Sequence, residues 1–241
     1  MSPHEEHIVR TFWASAYGFD PAVLDEPGTT VHAHPTLEGR LIVFRTPLHA
    51  VVLTPATLQP VVAEAIKSQH GAVLDGQRVA DLLPDLRLEP GNTDYIYYFN
   101  AEHASPPMDA RIRAVTSDDE ALLGALQSAC SDRDRELGTI ELDDPVVLGW
   151  FEQGRLLGAA SLVFNDDTAD VGVLTHSEAR GRGIARQLVQ RLAHDGVGHG
   201  KIVQYTTLAS NIGSVRVAEA SGFERYAVEE ALRLPVPGAG R

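Results

Sequence analysis

The residues with the clearest chemical potential lie in GVLTHSEARGRGIARQLVQRL, residues 172–192. A strand-like run, Val173, Leu174 and Thr175, leads into a turn where Gly181 and Gly183 alternate with Arg180 and Arg182. The turn runs directly into an apolar-periodic segment. Glycine adopts backbone conformations closed to other residues and lets a ligand approach the main chain. The helix that follows has first-turn amides without intrahelical partners, and its dipole favours negative charge. Together these features make an anion site suited to phosphate or pyrophosphate. Arg180, Arg182 and Arg186 are placed to add charge-assisted contacts. A plainer reading, a solvated strand-to-helix connection, stands beside this one because short glycine motifs also arise by chance. The turn is not the nucleotide P-loop, which continues Gly-Lys-Ser/Thr, and it lacks the three-glycine dinucleotide fingerprint.

Other reactive residue types are less organised. HAHP sets His32 and His34 two apart, a spacing that can grip a metal. No Cys or carboxylate nearby completes a site, so the two histidines read as a loop pair and no metal is expected. Cys130 has no His or Asp companion in sequence and reads as a packing residue. As the one cysteine of 241 residues it excludes an internal disulfide and fits a reducing compartment.

The elements that must position the turn follow from periodicity. RIRAV reads as a strand and TSDDEALLGALQSA as a helix with a Ser117/Glu120 capping box. VVLGWFEQGRLLGAASLVF reads as a hairpin turning at EQGR, and ADVGVLT as the strand that feeds the glycine turn. The next helix puts Ile184, Leu188 and Leu192 on one face, with Ala185 and Val189 beside them, and stops near HDGVGHG. KIVQYTTL is a further strand, and NIGSVRVAEASGF a short helix ending at Gly222. The order β-α-β-β-β-α-β-α describes an α/β fold, a mixed sheet covered by helices.

Upstream lies a smaller α/β domain. SPHEEHIVRTFWASAY reads as a helix with a Ser2/Glu5 capping box and Pro3 at its first position, its apolar face formed by Ile8, Phe12 and Ala16. LIVFRT, HAVVLT and DYIYYF read as strands, and a helix restarts at Pro60. The polar stretch NAEHASPPMDA, residues 100–110, reads as a linker. It divides the chain into domains at 1–107 and 108–241.

A formal charge of -13 argues against nucleic acid and against an anionic membrane surface, since both are held by clustered Lys and Arg. No apolar run reaches the length of a membrane span, and no signal peptide is visible, so a cytoplasmic location is expected.

Residues 111–234, about half the chain, resemble the GCN5-related N-acetyltransferases (GNAT). In that family a loop reads Gln or Arg, two variable residues, Gly, one variable residue, then Gly or Ala. Arg180, Gly183 and Ala185 stand at those places. A later family motif, an Asn opening a short helix that ends in Gly-Phe, is matched by Asn211, Ser214, Gly222 and Phe223. The resemblance implies the GNAT acyl-CoA N-acyltransferase fold in the C-terminal half and acetyl-CoA as co-substrate. It assigns the pyrophosphate to the amides of Gly181, Arg182, Gly183, Ile184, Ala185 and Arg186. Val173, Leu174 and Thr175 would pair with the pantetheine arm and polarise the thioester carbonyl. Asn211 and Ser214 would sit near the pantetheine.

The resemblance also implies direct attack by an amine while both substrates are bound. That chemistry needs a base, oxyanion donors and an acid for the departing thiolate. Asp170 is the nearest match to a glutamate that some members carry at the start of this strand, with a solvated turn residue as the plainer reading. Glu141, just before VVLGWF, is the second candidate base, with an exposed acidic turn as its alternative. Glu178 reads as structural and His176 as a surface loop residue. Many members carry a Tyr seven residues after the Asn, and here that position is Ala218. Tyr205 is available on the preceding strand.

The expected function is an N-acetyltransferase for a primary amine of a small molecule or peptide. Residues 1–107 would supply part of the acceptor pocket or a homodimer surface, as a decayed copy of the same fold or otherwise. The alternative is a coenzyme A-binding sensor or interaction module with little turnover. An acyltransferase for longer acyl groups is a third reading.

Overall fold

The computed structural model describes residues 1–103 and 109–235. Along the chain these form α1 (Pro3–Tyr17), β1 (Gly28–Ala33), β2 (Arg40–Arg45), β3 (His49–Thr54), α2 (Gln59–Ile66), α3 (Gly76–Leu82) and β4 (Glu89–Phe99). There follow β5 (Ile112–Ala114), α4 (Glu120–Ser128), α5 (Asp132–Leu137), β6 (Val146–Glu152), β7 (Arg155–Asn165) and β8 (Thr168–Thr175). The chain continues through α6 (Ile184–Gly198), β9 (Ile202–Leu208), α7 (Ile212–Ala220) and β10 (Phe223–Arg233). The protein is therefore a mixed α/β protein. Two compact units emerge, labelled by their place along the chain: a central unit of Tyr97–Thr207 and Asn211–Glu224, and a flanking unit, drawn mainly from the two ends of the sequence, of Ser2–Ile96, Leu208–Ser210 and the stretch from Arg225. The boundary expected at 107/108, and residues 104–108 of the linker expected at 100–110, lie outside the described residues.

In the flanking unit β2 and β3 are buried along almost their whole length, so both faces of this sheet are covered. Leu41, Val43, Val52, Val62 and Val79 pack on one face, and Leu24, Leu37, Ile42 and Leu53 on the other. Two strands were missed in the sequence: β1, which pairs in parallel with β3, and β10, which pairs antiparallel with β2. GTTVHA is short, and β10 groups its charges in adjacent pairs, Glu224–Arg225 and Glu229–Glu230, so neither shows a clean period of two and both become strands through these long-range ladders. His32 consequently lies in a strand rather than a loop, with Nε2 3.2 Å from the Thr30 hydroxyl. The capping box at Ser2 and Glu5 forms as expected. The buried face of α1 does not: Ala16 is exposed, and Val9 and Ala14 are buried. Trp13 and Tyr17, half-buried, set their rings 5.2 and 5.5 Å from that of Phe44.

The central unit holds β5 to β9 in the spatial order β9-β8-β7-β6-β5. β6 and β7 form the expected hairpin, with Gln153 and Gly154 both at positive φ, as its tight turn requires. Leu123, Leu126, Ile140, Ala159 and Leu174 form one core cluster. The α6 stripe Ile184, Leu188 and Leu192 is at most 1 % exposed. Each such side chain contributes roughly 1.5–3 kcal/mol through burial. The capping box before α4 falls one residue earlier than expected. Thr116 donates through its amide (3.0 Å) and hydroxyl (3.3 Å) to Asp119, which Arg113 also grips at 2.7 Å. The helix α5, hidden in a charged stretch without apolar period, adds a further element to the expected order.

Candidate functional site

The strands β8 and β9 run parallel for three pairs, Thr168 with Ile202, Ala169 with Val203, and Asp170 with Gln204, and then part. On its other edge β8 stays paired with β7 as far as Thr175 opposite Gly158. One edge of Val171–Thr175 is thus left outside the ladder, a template for an extended ligand. The wedge opens into a cavity of about 550 Å³, walled by Val171, Val173 and Thr175 on one side and Tyr205, Thr206 and Thr207 on the other.

The glycine turn closes one end. Gly181 and Gly183 have φ of 76° and 77°, the left-handed region that glycine adopts without penalty. Gly183 is the N-cap of α6 and brings no side chain to the first-turn amides. The first-turn residues Ile184, Ala185 and Arg186 line the same cavity together with Arg180, Gly181 and Gly183. At α7, by contrast, the Asn211 side chain accepts the Ser214 amide at 3.2 Å. Both of these residues line the cavity, as do Val173, Leu174 and Thr175.

Two of the three arginines are engaged within the protein. Arg180 forms an ion pair with Asp134 of α5 at 2.9 Å, and Asp134 also lines the cavity. The Ser131 hydroxyl and the Arg180 guanidinium hold the Asp134 carboxyl below its usual range. Arg182 does not line the cavity, and its guanidinium meets Glu152 at 2.6 Å. Arg186 lines the cavity with its side chain exposed.

Neither candidate base lines the cavity. Asp170 sits within β8 and is half-buried, not a solvated turn residue. Asn165 and Gln204 donate to its two carboxylate oxygens at 2.7 and 2.8 Å. Burial nevertheless raises its pKa. Glu141 is exposed in a turn where its amide donates to Asp144 at 2.9 Å. Glu178 is exposed and pairs with Arg155 at 3.3 Å. His176 Nδ1 accepts the Glu178 amide, so this histidine caps a short helical turn. Ala218 is fully buried. Tyr205 is 2 % exposed, with its hydroxyl 2.7 Å from that of Ser214 and its phenol pushed up by burial. Cys130 is buried and its thiol raised, an inert environment.

Residues 134, 206, 207 and 216 also line the cavity and carried no signal in the sequence. Arg216 is two residues past Ser214, within a motif already visible, but its relation to the cavity needed the helix position. Among the described residues no group of three His, Cys, Asp or Glu is arranged to hold a metal ion, and no helix is long and apolar enough to cross a membrane.

Residues 112–223 match the profile of the acetyltransferase (GNAT) family. Among solved structures, the chain is similar to an acetyltransferase from the GNAT family of Colwellia psychrerythraea. That likeness has 17% identity and a TM-score of 0.55, covering 78% of this chain and 77% of that one. A GCN5-related N-acetyltransferase from Sphaerobacter thermophilus has 19% identity and a TM-score of 0.52, with 74% and 68% covered. At these identities the likeness is one of fold. No curated protein matches the sequence significantly.

Proposed function

Because residues 112–223 form a GNAT acetyltransferase domain, whose family and fold indicate acyl transfer, we propose that the protein moves an acetyl group from acetyl-CoA to a primary amine. The acceptor is a small molecule or peptide, attacking directly while both substrates are bound. One observation carries the reading: the open edge of β8 and the uncapped, glycine-flanked start of α6 face a single cavity. The chain's residues fit the coenzyme. Positive-φ glycines and free first-turn amides suit a pyrophosphate, and the edge Val171–Thr175 suits the amide groups of a pantetheine arm.

Backbone amides of Val173 to Thr175 would donate to the oxygen on which charge develops. Asp170 would take the proton from the acceptor ammonium. It is preferred to Glu141 because it is desolvated, held by two amide donors and placed where the strands part. Tyr205, kept protonated by burial, would donate to the departing thiolate in place of a residue at Ala218. Asn211 and Ser214 would hold the pantetheine. Reaction inside the reducing cytoplasm fits the lone, buried Cys130.

A second reading, a coenzyme A-binding sensor with little turnover, is favoured by the absence of both candidate carboxylates from the cavity lining. Coenzyme A release, measured with acetyl-CoA and a panel of amines alongside a binding titration, separates the two. Turnover with one amine class supports the transferase. Binding without turnover across the panel supports the sensor, and no binding overturns both.

A further inference from the structure

The last rung shared by β8 and β9 is closed by side chains as well as by backbone. Gln204 is buried there, and both ends of its amide are engaged. Its oxygen accepts the hydroxyl of Tyr98, itself buried at the end of β4. Its nitrogen donates to Asp170 Oδ1 at 2.8 Å and to the Thr206 hydroxyl at 3.4 Å. Thr206 is exposed and lines the cavity, so the chain of bonds runs from a buried phenol to the cavity wall. On the other flank Asn165, the last residue of β7, donates to Asp170 Oδ2 at 2.7 Å. No charged side chain shares in this arrangement. Lys201, just before β9, donates instead to the Asp166 carbonyl, and only burial and the two amides move the Asp170 carboxyl from its ordinary value.

Donor and acceptor identity fixes the direction of the chain. The Tyr98 hydroxyl on the Gln204 oxygen leaves the amide nitrogen for Asp170, whereas a reversed amide would set oxygen against a carboxylate. An ionised carboxylate offers about four lone-pair sites. The two amides fill one on each oxygen, hold the carboxylate plane and leave the rest for an ammonium. Each donor also favours the ionised form that a base requires, against the burial that opposes it.

We propose that Gln204, itself oriented by Tyr98, is a positioning residue that aims the Asp170 carboxylate at the acceptor amine. The inference rests on the transferase reading with Asp170 as base. In the step it serves, an N–H bond of the acceptor ammonium breaks, the proton passes to a free lone pair of Asp170, and the neutral amine is left to attack.

Two readouts on the full chain test it: the Asp170 carboxyl titration followed by carbon-13 NMR, and the pH profile of coenzyme A release. Gln204→Met keeps the volume and removes the donor. The double variant Tyr98→Phe/Gln204→Met also removes the hydroxyl that would otherwise be orphaned, which protects the fold. In both, the Asp170 titration and the acid limb of kcat/KM are expected to move upward together by about one pH unit. On the plateau above that limb kcat is expected to fall about tenfold, with acetyl-CoA affinity within about twofold of wild type. Tyr98→Phe alone is expected to move both readouts in the same direction by less. An unmoved Asp170 titration in the double variant overturns the positioning role and leaves the transferase reading standing. So does a titration that moves while the rate profile and plateau stay put, because the clamp is then structural only. If the wild type turns over no amine, the transferase reading falls and this inference with it.

Discussion

Asp170 and Gln204 are the last residues that β8 and β9 share as a pair, and the Gln204 side-chain amide donates to the Asp170 carboxylate across 2.8 Å. Gln204 in turn accepts the Tyr98 hydroxyl, and Asn165 donates to the other Asp170 oxygen. The ladder therefore ends on a side-chain clamp. Beyond it the two strands diverge around the cavity.

The clamp carries a titration. Burial raises the Asp170 pKa above its ordinary value, and the two amide donors offset this only in part. The folded state thus binds the proton more tightly than the unfolded one. Its contribution is full below the unfolded value of about 3.9 and is lost as pH rises through the higher folded value. The melting-temperature advantage of the wild type over Asp170→Asn is expected to shrink from pH 4 to pH 7. A difference independent of pH would show that the carboxyl is not desolvated. If Asp170 is the base, the same variant loses turnover while binding acetyl-CoA normally.

Gly138 and Gly172 let the segment before Ile140 cross β8 at close range. A Cβ at Gly172 would lie 2.2 Å from the Thr139 carbonyl oxygen, and one at Gly138 would lie 2.3 Å from that of Val173. Backbone on backbone cannot give way cheaply, so each Ala substitution is expected to cost about 1–3 kcal/mol or more. Gly124→Ala, in α4 with nothing within 4 Å, is expected to stabilise by up to about 1 kcal/mol. Urea midpoints of the three variants check the ordering.

At the glycine turn, Gly183→Ala forces an L side chain to φ near 77° in open space, costing about 1–2 kcal/mol. Gly18→Ala, at the C-cap of α1, imposes the same strain at φ 72°. The two variants are expected to melt alike, yet only Gly183→Ala should weaken acetyl-CoA, by about tenfold or more. Equal coenzyme affinity in both would remove the glycine turn from the binding site.

Tyr205→Phe deletes the hydroxyl that meets Ser214 at 2.7 Å and keeps the ring packed 5.6 Å from Phe223. The loss of one hydrogen bond is expected to cost about 1 kcal/mol of stability. As the proton donor, Tyr205 would be revealed by a fall of about 10²-fold in turnover with little change in coenzyme affinity. A variant with full turnover would make Tyr205 a packing residue only.

The amino-acid sequence by itself determined the local grammar of the central unit. Apolar period, the EQGR turn and the glycines at 181 and 183 placed the hairpin, α6 and the turn that leads into it, because each depends on residues within a few positions. The Asn211 cap of α7 was legible for the same reason. Only the tertiary structure decided what those pieces face. The Arg180–Asp134 and Arg182–Glu152 pairs join residues 46 and 30 positions apart, and no local spacing announces them. The same holds for β1 and β10, without a clean period of two and made strands by long-range ladders, and for α5, without an apolar period. It holds most of all for the parting of β8 from β9. Two strand-like sequences look the same whether they pair along their whole length or for only three residues. The cavity exists because the ladder stops.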